Sequence, residues 1–210
     1  MNGMAAHKGA VPYGATFLVF SDYMRHSIRL SAMMSLPVIW VFSHDSIGIG
    51  RNGPTHQPVE YLASLRAIPN LAVMRPADAV EAAECWQLAL AYRAGPSAIV
   101  NSRQPLPPIS GNAGDENLCA RGAYIAADAT GGARKATLFA SGSEVAIALD
   151  ARAQLQRQSH QLAEQLYKQA QANPSAASGQ ASRTENDVKD GEVVTLKDGV
   201  ADPLGLHREV

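Results

Sequence analysis

The sequence predicts an α/β protein: a parallel sheet flanked by helices, then a partial second α/β domain and a disordered or helical tail. Two observations favour this class. Apolar segments typical of buried strands alternate with segments of helical spacing. The predicted strands are also apolar throughout, which is typical of strands covered on both faces. The chain has 210 residues, 46% of them hydrophobic, which is enough for a core and excludes a wholly disordered protein.

The first predicted helix runs from Thr16 to Met34, because its apolar residues recur near helical spacing. Pro37 ends this helix, since proline is disfavoured within one. The five apolar residues 38–42 then predict a fully buried strand. A polar loop with three glycines follows over residues 44–58.

The later elements continue the alternation of strands and helices. Asp78 and Glu81 stand near the start of one predicted helix, where negative charge is favourable. The expected helices are 59–66, 77–92 and 143 to about 156, and the expected strands are 71–75, 97–101 and 136–140.

Composition divides the chain into about 155 residues of globular sequence and a tail. Residues 156–210 form a tail with one aromatic residue, Tyr167, so it has little apolar area to offset the entropy of ordering. Within the tail we expect a continued helix over 151–172, disorder over 178–190 and a short strand over 193–196.

Charge and cysteine usage exclude several classes of partner. Eighteen Lys and Arg against nineteen Asp and Glu give a net charge of −1, which predicts no nucleic-acid partner. The apolar runs are too short to span a membrane, and the N-terminus does not resemble a signal peptide. Cys85 and Cys119 form neither a disulfide framework nor a zinc motif. We therefore expect a cytoplasmic protein.

Three polar segments follow predicted strands, and ligands bind at the carboxyl ends of parallel strands. These segments are residues 44–58, 75–78 and 101–104. The first holds His44 and His56, which can hydrogen-bond and titrate near neutral pH. In the last, Arg103 is suited to bidentate recognition of a phosphate or carboxylate.

Each of these features also has a purely structural interpretation. Phe17, Phe20 and Tyr23 recur every three residues, as core residues of a helix often do. A loop histidine is often structural or solvated, and the two histidines lack a third zinc ligand. Arg103 could equally form a surface salt bridge. Singly, none of them identifies a function.

Together, however, these segments resemble the transketolase family in order and spacing. The resemblance covers about residues 1–155. It implies that residues 1–118 are the family's pyrimidine-binding domain and that 119–155 begin its C-terminal domain. The segments that carry it are FLVFSDY (17–23), HDSIGIG (44–50), GPTHQPVE (53–60), ASLR (63–66), RPAD (75–78), SRQ (102–104) and SGSEV (141–145).

The resemblance implies an activity and a role for several residues. The family transfers a two-carbon ketol unit between sugar phosphates, using thiamine diphosphate and a divalent metal such as Mg²⁺. By resemblance, His56 is catalytic and faces the thiazolium and the substrate hydroxyls. His44 and Arg103 hold the sugar phosphate. The three aromatic residues Phe17, Phe20 and Tyr23 form the pocket around the flat aminopyrimidine ring.

The chain departs from the family pattern at Asn52. The family has an aspartate there, which contacts a substrate hydroxyl near the reacting carbon. Asparagine keeps a hydrogen-bonding oxygen but loses the charge. We therefore expect a changed substrate preference and retained cofactor binding.

A second departure concerns parts of the family site. Family members carry an Arg-Glu-His segment shortly before the part that resembles residues 1–4, and its Glu bonds the aminopyrimidine. Their metal and diphosphate ligands lie in a further domain, and the 210 residues contain no metal site of that kind. The family site forms between two subunits. We therefore expect a fragment that is inactive alone and that forms a homodimer or pairs with a diphosphate-binding subunit.

Other interpretations of the same residues stay open. One is a non-catalytic module that docks on a full-length subunit. Another is a different thiamine diphosphate enzyme, such as dihydroxyacetone synthase or 1-deoxyxylulose-5-phosphate synthase. The segments 53–58 and 102–104 favour transketolase over the latter.

Overall fold

The computed structural model describes residues 1–109, 116–129, 136–172 and 191–196. The helices are α1 (Asn2–Ala6), α2 (Ser21–Met33), α3 (Tyr61–Arg66), α4 (Ala79–Ala91) and α5 (Glu144–Ala172). The strands are β1 (Tyr13–Phe17), β2 (Ile39–Asp45), β3 (Ala72–Met74), β4 (Ser97–Ser102), β5 (Ala123–Ala127), β6 (Ala136–Ala140) and β7 (Gly191–Leu196).

The first four strands form one parallel sheet in the order β1-β2-β4-β3. Alternate residues of its central strands are buried in two separate apolar clusters. Trp40 and Phe42 of β2 belong to a cluster with residues of α2 and α3, whereas Ile39 lies with Cys85 and Ala89 of α4. Because helices cover both faces, the prediction of a parallel sheet flanked by helices is confirmed.

The start of the first predicted helix is wrong. Residues 13–17 form β1, which pairs with β2 from Tyr13↔Ile39 to Phe17↔Ser43. A single 3₁₀ turn (Leu18–Phe20) follows, and α2 begins only at Ser21. The ladder to β2 outweighs the helical spacing of these apolar residues, because strand preference depends on neighbours that a local pattern does not contain.

A second sheet, in the order β5-β7-β6, contains a strand from the tail. β7 lies between the other two strands, antiparallel to β5 and parallel to β6. The strand expected at 193–196 is therefore a central one, and β5 was not predicted. The helix continues to Ala172 as expected, whereas the disorder expected over 178–190 lies outside the described residues.

Polar contacts join the two sheets. The buried Arg75, just after β3, forms ion pairs with Asp45 and with Glu144 at the start of α5. Tyr124 of β5 donates a hydrogen bond of 2.6 Å to the buried Glu81, near the start of α4. Among the residues that the structure describes, no helix is both long enough and apolar enough to cross a membrane.

Candidate functional site

The candidate site lies at the carboxyl ends of β1 and β2, where β2 is irregular. Phe42 pairs with Val100 and Asp45 with Ser102, so β2 has one residue more than β4 over this interval. Such a bulge redirects the side chains that follow it. The backbone is left-handed at His44 (φ 60°) and at Ser46 (φ 91°). For non-glycine residues this costs about 1–3 kcal/mol each, and such strain is concentrated at functional sites.

Five aromatic side chains from separate elements meet here, and we call them the ring cluster: Phe17, Phe20, Tyr23, His44 and His56. The imidazole of His44 stacks on the ring of Phe17, with centroids 3.5 Å apart and planes 20° apart. Phe17 and Phe20 are also nearly parallel, at 12° and 5.9 Å. The cluster is therefore a set of flat faces at a strand end, partly open to solvent.

Within the ring cluster, His56 is half-buried and Tyr23 is exposed. His56 ends the 3₁₀ turn Pro54–His56 and meets the ring of Phe20 edge-on at 5.5 Å. Its Nδ1 lies 3.0 Å from the hydroxyl of Thr55, which fixes the imidazole orientation. Tyr23, 6.0 Å from Phe20, is 87% exposed. These two rings present apolar and hydrogen-bonding surface to an incoming molecule.

Positive charge acts on His44 from the end of β4. Burial lowers the pKa of His44 below its usual 6.5, and the positive charges of Arg103 and His56 lower it further. Arg103 is itself exposed. A neutral imidazole beside an available guanidinium can accept or donate hydrogen bonds, while the guanidinium attracts an anion.

The glycine-containing loop is held against the segment after β4. The hydroxyl of Ser46 donates to Oε1 of Gln104 at 3.1 Å and accepts from the N–H of Gly48 at 3.1 Å. A Cβ added at Gly48 would lie 2.8 Å from Nε2 of Gln104, so a larger residue there would displace the end of the Gln104 side chain. The loop is thus anchored next to His44.

The structure brings most of the expected site residues together. The three aromatic residues and both histidines form the ring cluster, and Arg103 is near enough to affect the pKa of His44. Asn52 lies exposed between the two 3₁₀ turns of the loop and takes no part in these ring contacts. Phe17, Phe20 and Tyr23 do not share one helix, since they come from a strand, a turn and α2.

Three residues at the site were not singled out from the sequence: Asp45, Arg75 and Gln104. Each belongs to a segment that carries the family resemblance. A charged residue next to a buried strand, as Arg75 is after residues 71–74, is a signal that a partner must exist. The identity of that partner depends on the strand order.

The described residues fit one part of the cofactor that the resemblance implies. The ring cluster offers flat apolar faces that suit an aminopyrimidine ring. Within the described ranges, no group of three His, Cys, Asp or Glu side chains could hold a metal ion. The described residues thus match the ring portion of the cofactor and not its metal-bound diphosphate.

Comparisons with known proteins agree with this partial fit. The family model for the transketolase pyrimidine-binding domain matches residues 1–108, more than half of the chain. The model for the transketolase-like C-terminal domain matches residues 122–164. Both matched regions include segments on which the resemblance depends.

The similar curated proteins are transketolases. The chain is 60% identical over 151 residues to a transketolase of Cereibacter sphaeroides, covering 72% of this chain and 23% of that protein. It is 58% identical over 156 residues to one of Sinorhizobium medicae, covering 74% and 22%. The chain therefore spans about a quarter of the length of the curated relatives that it matches.

Solved structures extend the likeness to the fold. A transketolase of Campylobacter jejuni has a TM-score of 0.73 at 34% identity, covering 94% of this chain and 26% of its own. One of Pichia stipitis, in complex with sedoheptulose 7-phosphate, has a TM-score of 0.70 at 32% identity, covering 94% and 24%. A split-gene transketolase, described as an inactive beta4 tetramer, has 0.65 at 23% identity, covering 94% and 52%, and shows the fold alone.

Proposed function

The chain belongs to the transketolase family, and from this we propose that it supplies the pyrimidine side of a thiamine diphosphate site for ketol transfer between sugar phosphates. The observation that carries the proposal is the ring cluster at the carboxyl ends of β1 and β2. Parallel sheets bind ligands at this edge. When bound, the cofactor supplies a stabilised carbanion equivalent for the two-carbon unit.

The aromatic residues would bind and shield the aminopyrimidine. Tyr23 and Phe20 lie 6.0 Å apart and tilted, so a flat ring can contact either of them. Phe17 is already stacked on His44, so its contribution is to hold that imidazole in place. Contact with these rings orients the cofactor and excludes water from one of its sides.

The polar residues would bind the substrate. Arg103 is exposed, and its guanidinium can form two hydrogen bonds to a phosphate. His44, held largely neutral, can donate a hydrogen bond from one nitrogen while Ser43 contacts the other. His56 has one nitrogen fixed by Thr55, which leaves the other to exchange a proton with a substrate hydroxyl.

We propose that the diphosphate and its Mg²⁺ are held by a different polypeptide segment, on a second copy or on another subunit. The described residues contain the ring portion of the site and no group of metal ligands. The complete cofactor site would then lie at the interface between two chains. We also propose a cytoplasmic location, which fits two cysteines that are buried thiols.

A binding and mixing experiment tests the proposal. Calorimetric titration of the chain with thiamine diphosphate and Mg²⁺ should show no sub-micromolar binding. Adding the separately expressed part of the Cereibacter sphaeroides relative that precedes its match to this chain, with both the diphosphate-binding domain and the Arg-Glu-His segment, should restore tight binding and ketol transfer from a ketose phosphate. Tight binding by the chain alone would refute the need for a second segment.

Variants connect any restored activity to the ring cluster. In the mixture, Phe20→Ala should weaken cofactor binding roughly five- to tenfold, because an aromatic pair contributes about 1 kcal/mol beyond buried area. Tyr167→Ala, which removes an exposed ring from α5, is the matched control and should change nothing. Equal effects of the two, or no activity on mixing, would favour a non-catalytic docking module.

We further propose that Asn52 sets the sugar preference. It is exposed in the loop that carries His56, where a side chain can reach a bound substrate. In the mixture, Asn52→Asp should change the ratio of kcat/KM between two ketose phosphates that differ at the hydroxyl nearest the reacting carbon. Cofactor affinity should stay the same. An unchanged ratio would contradict this assignment.

A further inference from the structure

We propose that Asp45 and Arg75 are positioning residues that hold His44 against Phe17. The assignment rests on the proposed function only in taking His44 as a substrate-binding residue. Asp45 directly follows His44, and its Oδ2 accepts a hydrogen bond of 2.5 Å from Nε of Arg75. The exposed fractions of the two side chains are 3% and 8%. The ion pair is therefore buried, and it begins at the residue next to His44.

Arg75 is held in place by residues between β6 and the start of α5. Nη1 of Arg75 donates to the backbone oxygen of Ser141 at 2.6 Å and also binds Glu144. Gly142 packs against the side chain so closely that an added Cβ would lie 2.8 Å from Nε. A guanidinium held at several points is a rigid anchor for Asp45.

The anchor matters because the backbone beside it is strained. His44 and Ser46, on the two sides of Asp45, both have positive φ. Without a constraint, non-glycine residues return to negative φ. For His44 that rotation would move the imidazole off the ring of Phe17, from which its centroid is 3.5 Å. Ser46 has its own contact to Gln104, whereas Asp45 has Arg75.

The removal of either partner should release His44. Asp45→Asn keeps the shape of the side chain but loses the charge, and Arg75→Met leaves a buried carboxylate without its cation. Glu144→Gln is the matched control, because glutamine still accepts a hydrogen bond and the contacts of Arg75 with Ser141 and Asp45 stay in place. Arg75→Lys keeps the positive charge but replaces the planar guanidinium, so its hydrogen bonds to Asp45 have poorer geometry.

Nuclear magnetic resonance of the chain without any ligand is the measurement. The Cε1–H resonance of His44 reports stacking through the ring current of Phe17, and Phe17→Leu gives its position without that current. In Asp45→Asn and Arg75→Met it should move most of the way to the Phe17→Leu position. Arg75→Lys should move it less, and Glu144→Gln should leave it at the wild-type position.

The outcomes are distinct from those of the cofactor experiments. If Arg75→Met does not fold, Asp45→Asn and Arg75→Lys still decide the question. A wild-type His44 resonance in folded Asp45→Asn overturns the proposal, and so does an equal shift in Glu144→Gln. Because no cofactor is present, failure here leaves the proposed function untouched, and failure of cofactor binding leaves this assignment untouched.

Discussion

The charge state of His44 is decided by its immediate neighbours. Burial and the two nearby cations all disfavour the imidazolium, so the pKa lies below 6.5. The unfolded chain therefore binds a proton on this residue at a higher pH than the folded chain does. His44 contributes stability above about pH 6.5, and that contribution decreases as the pH falls toward the folded-state pKa.

Removing the charge of Arg103 should raise the pKa of His44. Arg103→Gln deletes the larger of the two coulombic contributions, so the imidazolium becomes less unfavourable. A titration of the His44 resonance measures the change directly. Arg93→Gln, which removes an exposed cation before the amino end of β4, is the control and should have no effect. A fall in the pKa of His44 in Arg103→Gln would contradict the assignment.

The fit of Gly142 against Arg75 can be separated from backbone strain. Gly142 and Gly122 both have positive φ, at 58° and 75°. A Cβ at Gly122 meets nothing within 4 Å, whereas at Gly142 it meets Arg75. Alanine at either position should cost about 1–2 kcal/mol of strain, and Gly142→Ala a further ~1–3 kcal/mol from overpacking. Urea unfolding midpoints compare them, and equal losses would disprove the contact.

Residue types at the site were more predictable than their interactions. The aromatic residues and histidines belong to segments that resemble a family, so a role could be assigned to each. The pairing of Asp45 with Arg75 could not be assigned, because it joins the ends of β2 and β3. These strands are not neighbours in the sheet, since β4 lies between them. Only the three-dimensional order of strands brings the two side chains together.

At the scale of elements, periodicity predicted buried strands well and the first strand badly. The apolar run 38–42 lies in the centre of the sheet, where burial on both faces makes the signal strong. β1 is an edge strand, and its residues 13–17 mix exposed and half-buried positions. Its pairing with β2 depends on a segment more than twenty residues away. A local window contains no information on that ladder.

The role of β7 as a central strand can be tested with a proline. Thr195 is paired with Tyr124 of β5 and with Ala140 of β6. Thr195→Pro removes a backbone donor from the middle of the sheet, so amides of β5 and β6 should lose protection from hydrogen exchange. Amides of β1 to β4 should stay protected. Thr195→Val keeps the donor and serves as control, and unchanged protection in Thr195→Pro would exclude the pairing.

At the scale of the whole molecule, the two sheets are joined by an ion pair between the buried Arg75 and the partly exposed Glu144. Burial alone would raise the pKa of Glu144, but hydrogen bonds from Arg75 and Ser143 outweigh it and lower the pKa below 4.5. The carboxylate therefore stabilises the folded chain above pH 4.5, and this stabilisation is lost as the pH falls through the lowered pKa. Acidic pH should therefore weaken the contact that Arg75 and Glu144 make between the two sheets.

Glu144→Gln should reduce the acid sensitivity of unfolding. The free energy of unfolding of the wild type should fall more steeply below pH 4.5 than that of the variant. Urea unfolding at a series of pH values measures both slopes. Glu164→Gln, at an exposed position of the same helix, is the control and should keep the wild-type slope. Equal slopes for Glu144→Gln and the wild type would show that the Arg75–Glu144 ion pair does not contribute to the pH dependence of unfolding.

The arrangement of the second sheet has a consequence for synthesis on the ribosome. The four strands that the structure describes in the first sheet have been made once Ser102 is added, so their parallel ladder can form early. In the described part of the second sheet, β5 and β6 each pair with β7 and not with each other, so they must wait for residues 191–196. During that interval the nascent chain carries unpaired strand edges, which attract other chains. We expect this period of translation to be when the protein depends most on chaperones.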